Sequence, residues 1–217
     1  MMRGSFSATL LIAASLAAHP AAAETLRFGP RLPGWVAVQF PGIAPAYFTA
    51  ADDATLNIAT DSSAGILWRP LSTKAKTARW RWRVDEGVAA TDLTRRGADD
   101  RAIGVYFVFS RQPTAGATPL AILAASGVTA LVYLFGGDRP RGTVIASPHM
   151  GGRGKFIALR AAAAPKRVWY DENVDLAADY ARAFGRAMPT LIGVAISSDS
   201  DDTRARNRAR VQAMVVE

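Results

Sequence analysis

Apolar and polar positions alternate without a break from Thr77 to Val84. Ala78, Trp80, Trp82 and Val84 fall on one side of an extended chain, and Arg79, Arg81 and Arg83 on the other, because strand side chains have a period of two. From Arg101 to Ser110 the pattern changes to apolar residues at almost every position, as expected for a strand covered on both faces. The two runs predict two central strands joined by a charged loop, Asp92 to Arg101.

Shorter runs of the same kind flank this centre. Thr25–Phe28, Trp35–Phe40, Ala46–Ala50, Thr55–Thr60 and Gly65–Arg69 precede it, separated by Pro41-Gly42, Asp52-Asp53 and Asp61-Ser62-Ser63. Val128–Phe135, Gly142–Ser147, Lys155–Ala161, Val168–Tyr170, Thr190–Ser198 and Arg208–Val216 follow it. Helical signals are sparse. Pro119–Ala125 begins with proline and predicts one or two turns. Asp175–Phe184 places Leu176, Tyr180 and Phe184 on one face, with Asp175 as N-cap and Gly185 beyond the end. About ten strands at regular spacing, without alternating helices, predict a mainly β chain. The expected fold is a two-sheet antiparallel β-sandwich, jelly-roll-like, with one or two short decorating helices.

The first 23 residues stand apart from this pattern. Arg3, the apolar stretch Leu10–Ala18 and Ala21-Ala22-Ala23 have the layout of a secretory signal peptide. Residues 24–217 then form one expected domain, periplasmic or secreted, without a transmembrane segment after cleavage. Cysteine is absent, so disulfides, thiolate nucleophiles and cysteine metal sites are excluded. The net charge is +8 and is carried almost wholly by arginine. No stripe of basic residues with interleaved aromatics marks a nucleic-acid surface, and no nucleic-acid partner is expected. The chain is expected to be monomeric.

Several groupings are candidates for chemistry. Arg79, Arg81 and Arg83 would stand about 7 Å apart along a strand, an anionic groove if that face is open. If it is packed, Asp85, Asp99, Asp100 and Asp199 are the candidate partners; the third option is a solvated row. Asp99 and Asp100 sit at the mouth of the second central strand and point in opposite directions, so one of them can meet sugar hydroxyls or Arg81. Asp199, Asp201 and Asp202 follow a buried strand, a spacing that suits calcium, although the full EF-hand pattern is not met. Their alternative is a turn whose carboxylates cap backbone N–H groups and pair with Arg204 or Arg206. Trp68 and Trp169 flank turns and are candidates to stack on sugar rings; Trp80 and Trp82 are expected in the core.

A catalytic set is harder to assemble. His149 is the one histidine beyond the leader and lies in a glycine- and proline-rich loop. No nucleophile elbow, phosphate-binding loop or dinucleotide fingerprint is present. Glycoside hydrolysis needs only two carboxylates about 5–10 Å apart, and aspartates are numerous.

Taken in order, five groups of residues resemble one known family. They are Trp80-Arg81-Trp82-Arg83-Val84; Asp99-Asp100 leading into Val105–Phe109; Leu131–Phe135; Trp169–Glu172 with Asp179-Tyr180 and Phe184-Gly185; and Gly193–Ile196 with Asp199–Thr203. The chain resembles the bacterial domain-of-unknown-function family 3047 from about Trp35 onward. The resemblance implies an exported, single-domain β-rich protein and no established activity. The expected function is a non-catalytic binding module for a carbohydrate or anionic envelope ligand. The alternative is a glycan-active hydrolase using two of Asp85, Asp100, Asp199 and Asp201.

Overall fold

The computed structural model describes residues 23–112, 114 and 116–217. Apart from Ala23, the predicted leader lies outside the described residues. Two sheets face each other. The first contains β1 (Glu24–Leu26), β3 (Tyr47–Ala50), β4 (Thr55–Asp61), β6 (Thr77–Glu86), β11 (Tyr170–Asp175) and β13 (Arg206–Val216), in the order β11-β6-β13-β4-β3 with β1 also on β13. The second contains β2 (Val36–Val38), β5 (Ala64–Thr73), β7 (Arg101–Ser110), β8 (Val128–Phe135), β9 (Val144–Ser147), β10 (Gly151–Arg160) and β12 (Thr190–Asp199), in the order β2-β5-β12-β7-β8-β10-β9. Two helices, α1 (Pro119–Ala124) and α2 (Leu176–Phe184), decorate them. Among the described residues no helix is long and apolar enough to cross a membrane.

The mainly β sandwich is as expected, with one difference. The described residues form thirteen strands, and each overlaps one of the runs read along the sequence. Among the named strands one pairing is parallel: β10 inserts between β8 and β9, antiparallel to β9 and parallel to β8. Alternation is a property of each strand alone, whereas this arrangement depends on where the chain returns, so no local pattern announces it.

The inward face of β6 builds the centre of the core. Trp80 and Trp82 are fully buried, edge-to-face at 5.5 Å, and Trp80 also meets Phe107 and Tyr133. A second apolar layer lies on the outer face of the second sheet, formed by Trp68, Tyr106, Val108, Val132 and Phe156 and covered in part by Ile122 of α1. Two layers explain why every residue of β7 and β8 is buried. On α2, Asp175 caps the N-terminus by accepting from the Ala178 N–H at 2.8 Å, and Gly185 takes the left-handed conformation at φ 67°.

In that outer layer the end of the Trp68 ring lies against Gly193 of β12. A Cβ at Gly193 would fall 2.1 Å from the indole ring. Gly193→Ala is therefore expected to destabilise the chain by about 1–3 kcal/mol through overpacking. Urea unfolding checks this, and Trp68→Leu in the same chain should recover part of the loss.

Candidate functional site

The charged loop before β7, the β9–β10 turn and the loop after β12 meet at one end of the second sheet. They and α1 enclose a cavity of about 580 Å³. Its charged lining is Arg96, Asp99, Arg101, His149, Arg153, Asp199, Asp201 and Asp202; its apolar lining includes Phe40, Ile43, Leu120 and Leu123. Arg153 fixes the position of α1 by donating to the carbonyls of Leu123 and Ala125, each at 3.0 Å.

Arg101 organises the charged wall. It is fully enclosed, and Gly136 makes room for it: a Cβ there would lie 2.8 Å from the Arg101 Cβ. Its Nη1 donates to Asp99 Oδ2 at 3.2 Å and to Asp199 Oδ2 at 3.4 Å, so two carboxyl groups share one nitrogen. Its Nη2 donates to the Tyr106 hydroxyl at 3.0 Å, and the guanidinium lies 5.3 Å over the Phe156 ring. Burial opposes its charge, but Tyr106, Asp199 and Asp99 outweigh burial and hold the pKa above its ordinary value.

The same wall splits the carboxyl groups electrostatically. Burial would raise the pKa of Asp99, yet the hydrogen bond from His149 and the charge of Arg101 more than offset it and hold Asp99 below the usual range. His149 Nε2 lies 3.0 Å and 3.1 Å from the two Asp99 oxygens. Asp199 goes the other way. Burial pushes it up, Arg101 only partly compensates, and Asp201 and Asp100 add to the rise, to about 8. Asp202 is also raised, by burial and by the charges of Asp100, Asp201 and Asp99.

Asp99 and Asp100 point apart, as alternation requires. Asp99 faces the cavity, while Asp100 turns its Oδ2 to Thr203, whose N–H and hydroxyl donate at 2.7 and 2.5 Å. The acidic loop pairs differently from expectation: Asp199 meets Arg101, and Arg206 pairs with Asp61 at 2.9 Å. The arginine row is on the opposite face of the molecule, outward on the first sheet, and each member has a carboxylate. Arg79 pairs with Glu217, Arg81 with Asp171 and Arg83 with Asp85. Of the four partners anticipated for this row, only Asp85 is used, because Asp99, Asp100 and Asp199 lie at the end of the other sheet. Trp169 joins the row rather than the cavity, with the Arg81 guanidinium 5.4 Å over its ring. Trp68, expected beside a turn, is buried within β5.

Two features were missed in the sequence. His149 reaches Asp99 across fifty positions, through a turn whose only local signal is its glycine and proline content. Glu172 was placed outside any strand, yet it lies in β11 with no exposed side-chain surface. It accepts from Trp82 Nε1 at 3.0 Å, from Arg160 Nε at 2.7 Å and from Arg141 Nη2 at 2.8 Å.

A family model described as protein of unknown function (DUF3047) matches residues 33–215. The chain belongs to the DUF3047 family. No curated protein sequence matches this DUF3047 chain. Solved structures with a similar course include the xyloglucanase domain of NopAA, a type three effector from Sinorhizobium fredii, in complex with cellobiose. It has 9% identity and a TM-score of 0.44, with 93% of this chain and 99% of that one covered. The loop-swap mutant of Necallimastix patriciarum Xyn11A has 10% identity and a TM-score of 0.42, covering 90% and 99%. The K2 cleaved adhesin domain of Lys-gingipain has 15% identity and a TM-score of 0.40, covering 90% and 99%. At those scores the likeness assigns no activity to the DUF3047 chain.

Proposed function

We propose that the DUF3047 chain is an exported binding module and that its ligand, a carbohydrate, occupies the cavity between α1 and the acidic ends of β7 and β12. The observation that carries this reading is the make-up of the cavity: hydroxyl-accepting carboxylates and a histidine share it with Phe40, Ile43, Leu120 and Leu123. A sugar ring offers the matching pair of surfaces, apolar C–H faces and a rim of hydroxyls. Four aspartates line the cavity beside Arg96, Arg101 and Arg153, a lining of mixed sign that suits a neutral glycan. Every arginine of the outward row already holds a carboxylate, so this reading takes the cavity and not the row as the site.

Calorimetric titration with neutral and acidic oligosaccharides tests the reading. Saturable binding to a neutral glycan, weakened at least tenfold in His149→Ala and in Asp202→Asn, is expected. Binding of acidic glycans that is lost instead in Arg81→Ala would return the site to the arginine row. A panel without binding would overturn the proposal.

A second reading rests on one contact. Asp99 and Asp199 meet the same guanidinium nitrogen. Both also line the cavity, and glycoside hydrolysis needs two carboxyl groups about 5–10 Å apart on either side of the bond to be broken. Asp85 lies on the other sheet and has no part in it. Release of reducing sugar from the bound glycan, abolished by Asp199→Asn while binding persists, would favour this reading over binding alone.

A further inference from the structure

The acidic end of the second sheet holds two sets of carboxyl groups with different surroundings. Asp99 and Asp199 are turned to Arg101. Asp100, Asp201 and Asp202 have no basic partner among the described ion pairs, yet one oxygen from each lies within 4.8 Å of the others. Three carboxylates this close repel one another unless a positive charge sits between them.

Asp100 supplies the second observation. It is completely buried. Its Oδ2 takes both donors of Thr203, but its Oδ1 is enclosed and receives no hydrogen bond. With Oδ2 engaged, Oδ1 is the oxygen left to the cluster. A buried carboxylate oxygen without a partner is costly, and native structures satisfy such atoms.

Both loops are held in place independently of any ligand. Thr91 donates to the Asp100 carbonyl at 2.6 Å. Ser200, fully buried, donates from its N–H to the Ser63 carbonyl at 3.0 Å and fixes the turn that carries Asp201 and Asp202. The three carboxylates thus converge on rigid supports.

We propose that Asp100, Asp201 and Asp202 bind a hard divalent cation of the calcium class. The ligand atoms are all oxygens, without histidine or cysteine, which favours calcium or magnesium over zinc or copper. The set differs from the one expected in the sequence: Asp100 replaces Asp199, which serves Arg101. Asp201 and Asp202 also line the cavity, so the cation sits at its rim. Three carboxylates leave coordination positions unfilled, and ligand hydroxyls or water can take them.

The test uses the chain from residue 24 onward, stripped with EDTA and titrated calorimetrically with CaCl2 and with MgCl2, with thermal unfolding alongside. One site per chain is expected, with a Kd of about 10⁻⁴–10⁻³ M for calcium, in the range of extracellular calcium modules. The melting temperature should rise with CaCl2, because the cation binds only the native arrangement. Asp201→Asn and Asp202→Asn should each weaken binding at least tenfold, and Asp85→Asn, on the other sheet, should leave it unchanged. The two exposed-loop variants carry the test because Asp100→Asn alters a buried group and can fail to fold. No heat and no thermal shift at about 10 mM of either cation, well above that affinity range, would overturn the proposal and leave a proton shared among the carboxyls. Binding retained in both loop variants would overturn it equally. Neither result bears on the glycan titration, which is run in EDTA as well as in calcium.

Discussion

Replacing Arg101 with methionine is expected to cost about 3–5 kcal/mol of stability, more than any other single change at the cavity. Arg101 is almost completely enclosed and is the only arginine or lysine paired with the carboxyls of Asp99 and Asp199 among the described residues, with His149 also against Asp99. Methionine fills much of the same space, so the loss comes from charge and not from a void. Two buried carboxyls would be left facing each other, and the Tyr106 hydroxyl would lose its donor. The measurement is the urea midpoint at constant m value. Adding Asp99→Asn and Asp199→Asn to Arg101→Met should recover part of the loss, since removing all the charges together also removes the penalty for isolating two of them. A single variant within about 1 kcal/mol of the parent would show that the carboxyls reach water or take up protons cheaply.

Glu172→Ala is expected to cost about 3 kcal/mol. The estimate combines the buried Trp82 N–H left without an acceptor, about 1–3 kcal/mol, with the loss of two charge-assisted hydrogen bonds. Arg141 and Arg160 keep partial access to solvent, so their share falls below that of a fully buried pair. Glu172→Gln keeps an acceptor for Trp82 and should cost roughly half as much. Near-ultraviolet dichroism of the tryptophans, read beside the melting temperature, separates the two effects. If Ala and Gln lower stability equally, the Trp82 bond contributes little and the arginines dominate.

Glu172 also shows where sequence reading loses its grip. β6 was legible because Trp80 and Trp82 alternate with arginines. β7 and β8 were legible because both of their faces are covered. In β11 the outward residues are Asp171, Asn173 and Asp175, and the buried ones are Glu172 and Val174, so a charged residue stands on the inward face and the apolar–polar alternation is broken. What makes Glu172 an inward residue is a pair of arginines on other segments, and these are invisible locally. The cavity was legible in the same partial way. Asp99, Asp100 and the acidic loop stood out as carboxylates at strand ends, but their sorting depends on Arg101 of β7 and His149 of the β9–β10 turn. The arginine row gave a strong pattern and an ambiguous meaning, since alternation says which way a side chain points and not whether a carboxylate waits beside it.

The position of β13 has a consequence for how the protein is made. This strand lies between β6 and β4 and also carries β1, yet it comes last in the chain. Among the described residues no other strand pairs with both β6 and β4, so the two halves of the first sheet join only when residues 206–216 are in place. A nascent chain complete through β12 still has no strand to hold β6 beside β4. Its tryptophan-rich face stays without its proper setting until β13 is in place. Folding of this sheet is therefore a single late event rather than a stepwise one.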